Sequence, residues 1–270
     1  MRILFIGDIV GKPGREAVAS LLPGLKEELA PELVIVNAEN AAAGRGVTRA
    51  IVRALFASGV DVITTGNHVW ARTEELGLLD DEPRVLRPGN YPPGSPGRGW
   101  GVFRTTRGNL IAVVNLIGRA LMEPVDDPFR AIDDILAATA LQTPLCFVDF
   151  HAETTSEKVA FGWHCAGRVS AVVGTHTHVQ TADERILPGG TAYITDTGMC
   201  GPEDSVIGME VEAALARFRT QLPHHLKVAE GVATLCGVVI DLDDQTGKAH
   251  SIQRLRRSEE LYPREPQEKL

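Results

Sequence analysis

The sequence lacks the features that mark membrane proteins and proteins that track a nucleic-acid backbone. It contains no apolar run long enough to cross a membrane, and the run from Ile3 to Ile6 is too short for a signal peptide. A formal net charge of −8 argues against extended nucleic-acid binding, which needs clustered Lys and Arg. We therefore expect no membrane association and no extended nucleic-acid binding, although this charge still allows a small phosphate ester held by metal ions.

Cysteine is scarce, and its spacing does not indicate a structural metal site. The cysteines are scattered without a C-x-x-C pair, so neither a zinc knuckle nor a disulfide framework is expected. We interpret them as reduced thiols in a cytoplasmic protein. The glycine-rich stretch 41–46 is not followed by G-K-[ST], so it does not form a P-loop. The four cysteines are Cys146, Cys165, Cys200 and Cys236.

What the sequence does contain is ordinary globular material. Of its 270 residues, 44% are hydrophobic and 23% are charged, which provides enough apolar side chains for a sizeable core. There is no internal repeat and no linker that separates two units. We expect a single α/β domain over residues 1–270, with charged residues from Arg256 onward forming a frayed tail.

The first third of the chain alternates buried strands with helical spacing. Apolar runs at 2–7, 33–36 and 60–65 predict strands, and the segments between them predict helices, the first with a kink or break at Pro23-Gly24. Polar side chains follow each strand directly. Because the carboxyl ends of such strands meet at one rim, where ligands bind, we expect one site there. The residues concerned are Asp8, then Glu39 and Asn40, then Asn67 and His68.

The second half presents histidines in the same way. Residues 83–101 are rich in Pro and Gly and predict a long surface loop, followed by paired strands at 100–106 and 110–116. His151 directly follows a predicted strand at 144–150. After the apolar run 171–173 come His176 and His178, whose side chains share one side of an extended backbone, roughly 6–7 Å apart. Val211, Leu215, Phe218 and Leu222 indicate a late helix, and strands are expected at 232–242 and 249–255.

These strand-end residues suit a metal centre. Carboxylate and amide oxygens mixed with imidazoles favour Mn, Fe or Zn over Ca or a thiolate-bound metal. His176 and His178 suit one shared metal or two metals about 3.5–4 Å apart, and Glu39 or Asp8 would bridge such a pair. A water between the two ions would be hydroxide near neutral pH, because bound cations lower its pKa to about 7. A further histidine would protonate a leaving oxygen or stabilise developing charge.

Each residue has a simpler explanation when taken alone: Asp8 as a cap, Asn67 as a turn former, and His151 as a structural histidine. The simple explanations would have to coincide at five strand ends, so we favour the common site. For other polar residues the structural explanation stands. These are His164, a core or surface residue of a predicted helix; His224, His225 and His250, for which the sequence indicates no partner; and the residues that would otherwise contact a phosphate, Arg45, Thr154, Thr155, Lys158 and Arg168.

The motif order resembles that of the calcineurin-like metallophosphoesterases over roughly residues 1–200. Their series D-x-H, G-D-x-x-D, G-N-H-[DE], a lone H and G-H-x-H corresponds to Asp8, Glu39, Gly66-Asn67-His68, His151 and Gly174 to His178. Three positions depart from it: Val10 replaces a histidine, Glu39 replaces the bridging Asp, and Val69 replaces the acid that would orient His68. With these departures the sequence resembles a narrower group, the YmdB-like family. The stretches Asn37 to Asn40, Asp149 to Glu153 and Gly174 to Asp183 carry the same resemblance.

The resemblance implies a four-layer αββα sandwich with two Fe or Mn ions, or Zn. It assigns one metal to Asp8, Glu39, Asn40 and His178, and the other to Glu39, Asn67, His151 and His176, with His68 as the general acid. It implies hydrolysis of small phosphodiesters such as 2′,3′-cyclic nucleotides by a metal-bridging hydroxide. Two alternatives stay open: a phosphomonoesterase or protein phosphatase, and a regulatory protein that binds a nucleotide or RNA end with little turnover. Assembly into a homo-oligomer also stays open.

Overall fold

Two stacked β-sheets form the centre of the chain, and helices cover their outer faces. The computed structural model describes residues 1–140 and 142–258. The strands are β1 Arg2–Ile6, β2 Asp8–Ile9, β3 Leu33–Asn37, β4 Val62–Thr64, β5 Val85–Leu86, β6 Trp100–Arg104, β7 Leu110–Ile117, β8 Cys146–His151, β9 Ala171–Thr175, β10 Arg185–Leu187, β11 Thr191–Ile194, β12 Met199–Pro202, β13 Ala233–Leu242 and β14 Ala249–Ser258. The α-helices are α1 Gly11–Leu29, α2 Arg49–Ala57, α3 Gly77–Asp81, α4 Pro128–Thr139, α5 Thr155–Cys165 and α6 Val211–Thr220.

The first sheet has the order β2-β12-β13-β1-β3-β4-β5, and β14 also pairs with β13. Strands β1, β3, β4 and β5 run parallel, and β13 joins β1 antiparallel. The second sheet has the order β10-β11-β9-β8-β7-β6, with β7, β8, β9 and β11 parallel. The parallel strands of each sheet therefore present their carboxyl ends at one rim, where a ligand site is expected.

Three apolar layers hold the four-layer stack together. Alternate residues of β3 divide between two of them: Val34 and Val36 face α1 and α2, while Leu33 and Ile35 face the second sheet. The third layer packs α4 and α5 on the outer face of the second sheet, around the stacked rings of Phe150 and Phe161. Because both faces of both sheets are covered, the central strands are continuous apolar runs. The predicted αββα sandwich is confirmed.

Three local expectations were wrong. The break expected at Pro23-Gly24 is absent, because helix α1 continues through Pro23; Ala19, whose carbonyl loses its helical partner to the proline, is exposed to water. The expected surface loop 83–101 includes an edge strand, β5, and residues 85–88 are buried. The expected frayed tail begins too early, because Arg256 to Ser258 belong to β14; the remainder, 259–270, lies outside the described residues.

The described helices include none that is both long and apolar enough to span a membrane. The longest of them, α1, has 19 residues, but its exposed face carries charged side chains such as Lys12 and Glu16.

Candidate active site

All eight residues predicted from strand ends lie in one cluster at the common rim. Asp8, Glu39 and His178 place ligand atoms within 4.8 Å of one another, and so do Glu39, His151 and His176. Asn40, Asn67 and His68 join them through contacts of 2.7–3.0 Å. The first sheet supplies the carboxylates and amides, and the second sheet supplies three of the four histidines. Their roles stay predictions, but their convergence is a feature of the fold.

Glu39 is the centre of the cluster, and it is common to both groups. Its Oε2 lies 3.1 Å from His151 Nε2 and accepts the backbone N–H of His68 at 3.2 Å. Its Oε1 accepts from Asn40 Nδ2 at 2.9 Å. A Cβ on Gly66 would lie 2.3 Å from both Glu39 Oε2 and His151 Nε2. Gly66 is therefore required, because any side chain there would occupy the space between the two groups.

Each of the three second-sheet histidines directs one ring nitrogen into the cluster and the other to an acceptor. His151 Nε2 faces inward, and its Nδ1 lies 2.9 Å from Thr175 Oγ1. His176 Nδ1 faces inward, 3.0 Å from His151 Nε2, and its Nε2 lies 2.8 Å from Glu153 Oε2. An acceptor behind the ring fixes its orientation and makes the inward nitrogen the one that binds a cation once it carries no proton, which is the usual arrangement of metal-binding histidines.

His178 shows the same arrangement on the other side of Glu39. Its Nδ1 donates to the carbonyl of Ile207 at 2.9 Å, since a carbonyl only accepts. Its Nε2 then carries the lone pair and faces Asn40 Nδ2 at 3.0 Å. Both His176 and His178 have positive φ angles, 98° and 67°. Such conformations cost free energy in residues with a Cβ, and they occur most often at functional sites.

Two buried aspartates, Asp149 and Asp196, hold in place strand β8, which carries His151, and the loop that carries His176 and His178. Asp149 accepts from Thr175 Oγ1 in the second sheet and from Asn37 and Thr64 in the first, so it ties the sheets together beneath His151. Asp196 pairs with Lys158 at 2.6 Å and also accepts the backbone N–H of Thr177, between the two loop histidines. Lys158 thus has a structural partner, as expected from its sequence context.

Three of the other polar residues set aside in the sequence, Thr154, Arg168 and His164, also have structural contacts. Thr154 caps α5 through the backbone N–H of Glu157, and Arg168 pairs with Asp133 at 2.6 Å. His164 lies 3.0 Å from the same Asp133 carboxylate. None of these contacts is made to the eight-residue cluster.

His68 lies at the solvent side of the cluster, with 28% of its side chain exposed. Its Nδ1 is 2.7 Å from Asn40 Oδ1 and 3.4 Å from Glu39 Oε1. The sequence left open what would orient this ring in place of an acid after it. In the structure Asn40 and Glu39 hold Nδ1, which leaves Nε2 as the nitrogen available to a ligand.

Burial and neighbouring charges set the protonation of the cluster. Burial raises the pKa of Asp8 to about 6, although His178 and His151 oppose the shift. Burial would also raise the pKa of Glu39, but His151 and His68 outweigh it and hold that pKa well below its usual range. Burial acts to lower the pKa of His151, yet the adjacent Glu39 and Asp8 raise it overall. Burial and the charge of His151 lower the pKa of His176 to about 3, so this ring is neutral.

The donor set fits a cation. Asp8 Oδ1 is buried and has no hydrogen-bond partner among the described residues, although unpaired buried carboxylate oxygens are costly. Two carboxylates and three inward-facing imidazole nitrogens are the ligand types that Mn, Fe and Zn accept. Asn40 is the exception, because its Nδ2, not its Oδ1, faces Glu39 and His178. Coordination by Asn40 requires its amide to rotate by a half-turn, which exchanges the two atoms.

Sequence reasoning missed the groups behind the histidines. Glu153 and Asp149 belong to stretches that carried the family resemblance, but neither was assigned a role. The Ile207 carbonyl had no sequence signal, because a backbone acceptor 29 residues from His178 depends on the path of the chain. Thr175 between Gly174 and His176 was visible only as part of the motif.

The chain is similar to known proteins over most of its length. The family model described as YmdB-like protein matches residues 4–255. A protein of Bacillus subtilis (strain 168) named 2′,3′-cyclic-nucleotide 2′-phosphodiesterase is 54% identical, over 94% of this chain and 96% of its own length. A putative phosphatase/phosphodiesterase of Mycoplasma pneumoniae is 37% identical, over 95% of this chain and 92% of its own.

Solved structures show the same architecture. A hypothetical protein from Thermus thermophilus superposes with a TM-score of 0.90 at 42% identity, covering 96% of this chain and 99% of its own. A novel phosphatase from Mycoplasma pneumoniae gives 0.90 at 37% identity, covering 96% and 93%. The fold and the rim cluster define a phosphoesterase of the metallophosphoesterase type. Within that class, the chain belongs to the YmdB-like protein family.

Proposed function

We propose that this phosphoesterase is a dinuclear-metal-dependent phosphodiesterase that hydrolyses small phosphodiesters such as 2′,3′-cyclic nucleotides. The observation that carries the proposal is the arrangement of three histidines around Glu39, each with one nitrogen turned inward and the other held by an acceptor. The name of the Bacillus subtilis relative, 2′,3′-cyclic-nucleotide 2′-phosphodiesterase, supports this substrate class.

The two groups of ligand atoms support two cations with Glu39 between them. Asp8, Glu39 and His178 would hold one ion, joined by Asn40 after rotation of its amide. Glu39, His151 and His176 would hold the other, joined by Asn67, whose Oδ1 lies 3.0 Å from His151 Nε2. When bound, such a pair lowers the pKa of a shared water to about 7 and neutralises charge on phosphoryl oxygens. Fe or Mn suits this mixture of oxygen and nitrogen donors, and Zn is also compatible.

The chain's own residues would orient the reaction. The backing acceptors keep His151, His176 and His178 in the tautomers that leave a lone pair directed inward. His68, as the imidazolium, directs its Nδ1 N–H to Glu39 Oε1, 3.4 Å away, and keeps an N–H on Nε2 for the leaving oxygen of the ester. This position at the solvent side suits a group that must take up a proton again after each turnover.

A cavity beside His178 gives room for the remainder of a nucleotide. It has a volume of about 500 Å³, within the range of small-molecule sites. Its lining includes the apolar side chains of Val179 and Ile207 and the charged side chains of Arg254 and Arg256. Such a lining suits a nucleoside, whose base is apolar on its faces and polar at its rim.

The test compares substrates and one variant side by side. Protein loaded with Mn or Fe is assayed on 2′,3′-cyclic AMP, bis-p-nitrophenyl phosphate and p-nitrophenyl phosphate. We expect the diesters to be preferred, and His68→Ala to lower kcat by roughly 10²–10⁴-fold, the usual range for a general acid. His250→Ala, at an exposed histidine far along the chain in β14, is the matched control.

The two alternatives give different results in the same assay. Preference for the monoester would favour a phosphomonoesterase, an interpretation that the word phosphatase in the descriptions of the Mycoplasma pneumoniae relative and solved structure also allows. Tight nucleotide binding without turnover in fully loaded protein would favour a regulatory binding role. Full activity of His68→Ala would contradict the assigned acid but leave the phosphodiesterase itself standing.

A further inference from the structure

Helix α6 exposes the side chains that a helix normally buries. Val211, Leu215 and Phe218 recur at helical spacing on one face, with 37%, 51% and 78% of their surface exposed. Leu222, just after the helix, is 61% exposed. Only Ala214 is buried within α6. Contiguous apolar surface of this kind marks an interaction site more often than it marks a free surface.

This helix lies on an arm, residues 203–232, that connects two paired strands of the sheet. β12 and β13 are neighbours in the first sheet, and the arm joins them. By contrast, α4 buries Ile132 and Ile135, and α5 buries Phe161 and Cys165. A helix of 10 residues is marginally stable in water without such packing. Its apolar face therefore needs a cover that the described chain does not provide.

The charges on α6 are complementary to a second, antiparallel copy of the same helix. Glu212 lies in the first turn, and Arg217 and Arg219 lie in the last. Within residues 1–140 and 142–258, no ion pair engages any of the three. Glu212 and Arg219 are seven residues apart, so they lie on the same flank of the helix to within about 20° and about 10 Å apart along it.

A single two-fold axis between two copies of α6 pairs both the apolar and the charged residues of the helix. With the axis beside Leu215, this side chain meets its own copy. Phe218 then meets Val211 of the partner subunit, and Arg219 meets Glu212 of the partner subunit, twice by symmetry. The helix dipoles also oppose each other favourably in this arrangement. We propose that the α6 face is the interface of a homodimer, formed by antiparallel packing of α6 against α6.

The other available cover is poorly suited. The final residues 259–270 carry six charged side chains, Glu259, Glu260, Arg264, Glu265, Glu268 and Lys269, and their only apolar side chains besides two prolines are Leu261, Tyr262 and Leu270. A single helix pair is small against the roughly 800 Å² per partner of a standard interface, so we expect a dissociation constant in the micromolar range.

The first experiment is sedimentation velocity over a range of protein concentrations. We expect wild-type protein to form dimers, or assemblies with an even number of chains, and Phe218→Asp to halve the assembled mass. Because Phe218 is 78% exposed, this change does not disturb the chain's own core, which circular dichroism would verify. Leu121→Asp, at an 87% exposed leucine between β7 and α4, is the matched control and should sediment as wild type.

A charge exchange tests the antiparallel register. Glu212→Arg and Arg219→Glu should each weaken the dimer about tenfold, since two opposite-charge contacts become like-charge contacts. The double variant should recover wild-type affinity, a result that general surface effects would not produce. Monomeric wild-type protein at high concentration, or a dimer indifferent to Phe218→Asp, would overturn the interface; binding of the monomer to lipid vesicles would then identify a different cover. Failure of the double variant to recover would overturn the register.

Discussion

The eight-residue cluster at the rim (the rim cluster) and the α6 arm both depart from the usual distribution of polar and apolar side chains, but in opposite directions. At the rim, charged and polar side chains are buried, with Asp8, Glu39 and His151 almost completely shielded from water. On the arm, large apolar side chains such as Phe218 are exposed. Both situations are unfavourable for an isolated chain, since burying charge and exposing apolar surface each cost free energy.

The difference between them indicates what each region lacks. Buried carboxylates and inward-facing lone pairs are satisfied by a cation, which supplies charge in a small volume. Exposed apolar side chains are satisfied by another apolar surface, and its size calls for a macromolecule. The site is also supported from behind by Asp149, Glu153 and Asp196, whereas α6 has no comparable support among the described residues.

The largest effect is expected when a glutamate-to-glutamine substitution in the rim cluster is compared with the same substitution on the arm. Glu39→Gln removes the charge shared by both ligand groups, and we expect kcat/KM to fall by more than about a hundredfold, beyond what loss of a supporting contact causes. Glu212→Gln on the arm should leave kcat/KM unchanged at a fixed assembly state. Steady-state kinetics on 2′,3′-cyclic AMP measures both, and equal effects would show that the comparison is wrong.

A methyl group at Gly66 tests how tightly the cluster is built. Gly66→Ala would place a Cβ 2.3 Å from Glu39 Oε2 and His151 Nε2, so we expect loss of metal binding and a destabilisation of about 1–3 kcal/mol from overpacking. Gly24→Ala, where a Cβ meets nothing within 4 Å, should instead stabilise α1 by about 0.5–1 kcal/mol. Denaturant unfolding and metal analysis give the two readouts. Normal metal content in Gly66→Ala would contradict the described packing.

Loss of Glu153, the acceptor behind His176, should lower metal affinity less than loss of a metal ligand does. Glu153→Gln retains the shape of the side chain but removes the charge that holds His176 Nε2 at 2.8 Å. Metal affinity should fall roughly 10–100-fold, as is typical when an outer partner of a ligand is lost. Competition with a fluorescent chelator measures this, with the exposed Glu74→Gln as control. Unchanged affinity would mean that the ring is oriented by packing alone.

The smallest expected effect is the release of a proton when a metal ion binds. Because Glu39 and Asp8 raise the pKa of His151 above its usual 6.5, this ring is protonated at pH 7 in the metal-free protein and must release its proton when a cation binds. We expect about one proton released per chain, and metal affinity that rises with pH from 6.5 until the raised pKa is passed. Calorimetry in two buffers of different ionisation enthalpy measures the release. Binding without proton release would contradict the Glu39–His151 pairing.

The parts of the fold and site that depend on local pattern were predictable. Apolar runs that end in Asp8, Asn37 to Asn40 and Asn67-His68 signalled strand ends, and the parallel-sheet rule brought them to one rim. The family resemblance carried by the order of the motifs then predicted the four-layer αββα sandwich. Helix α6 was also predicted, because its apolar spacing is strong.

The parts that depend on three-dimensional context were not predictable. Spacing showed that α6 has an apolar face, but not that the face points away from its own chain. A proline in a helix costs least where the lost partner faces water, and the sequence does not show in advance that Ala19 is exposed. Likewise, nothing local indicated that Ile207 returns its carbonyl to His178, or that Asn40 turns its oxygen toward His68.

The most direct test of the central claim is the metal content of the purified protein. Protein prepared without chelators would be analysed for Fe, Mn and Zn by mass spectrometry, next to His151→Ala. Two metals per chain in the wild type, with clear loss of metal in the variant, is the result predicted by two ion positions that share Glu39. No bound metal in the wild type, and none taken up on reconstitution, would contradict it.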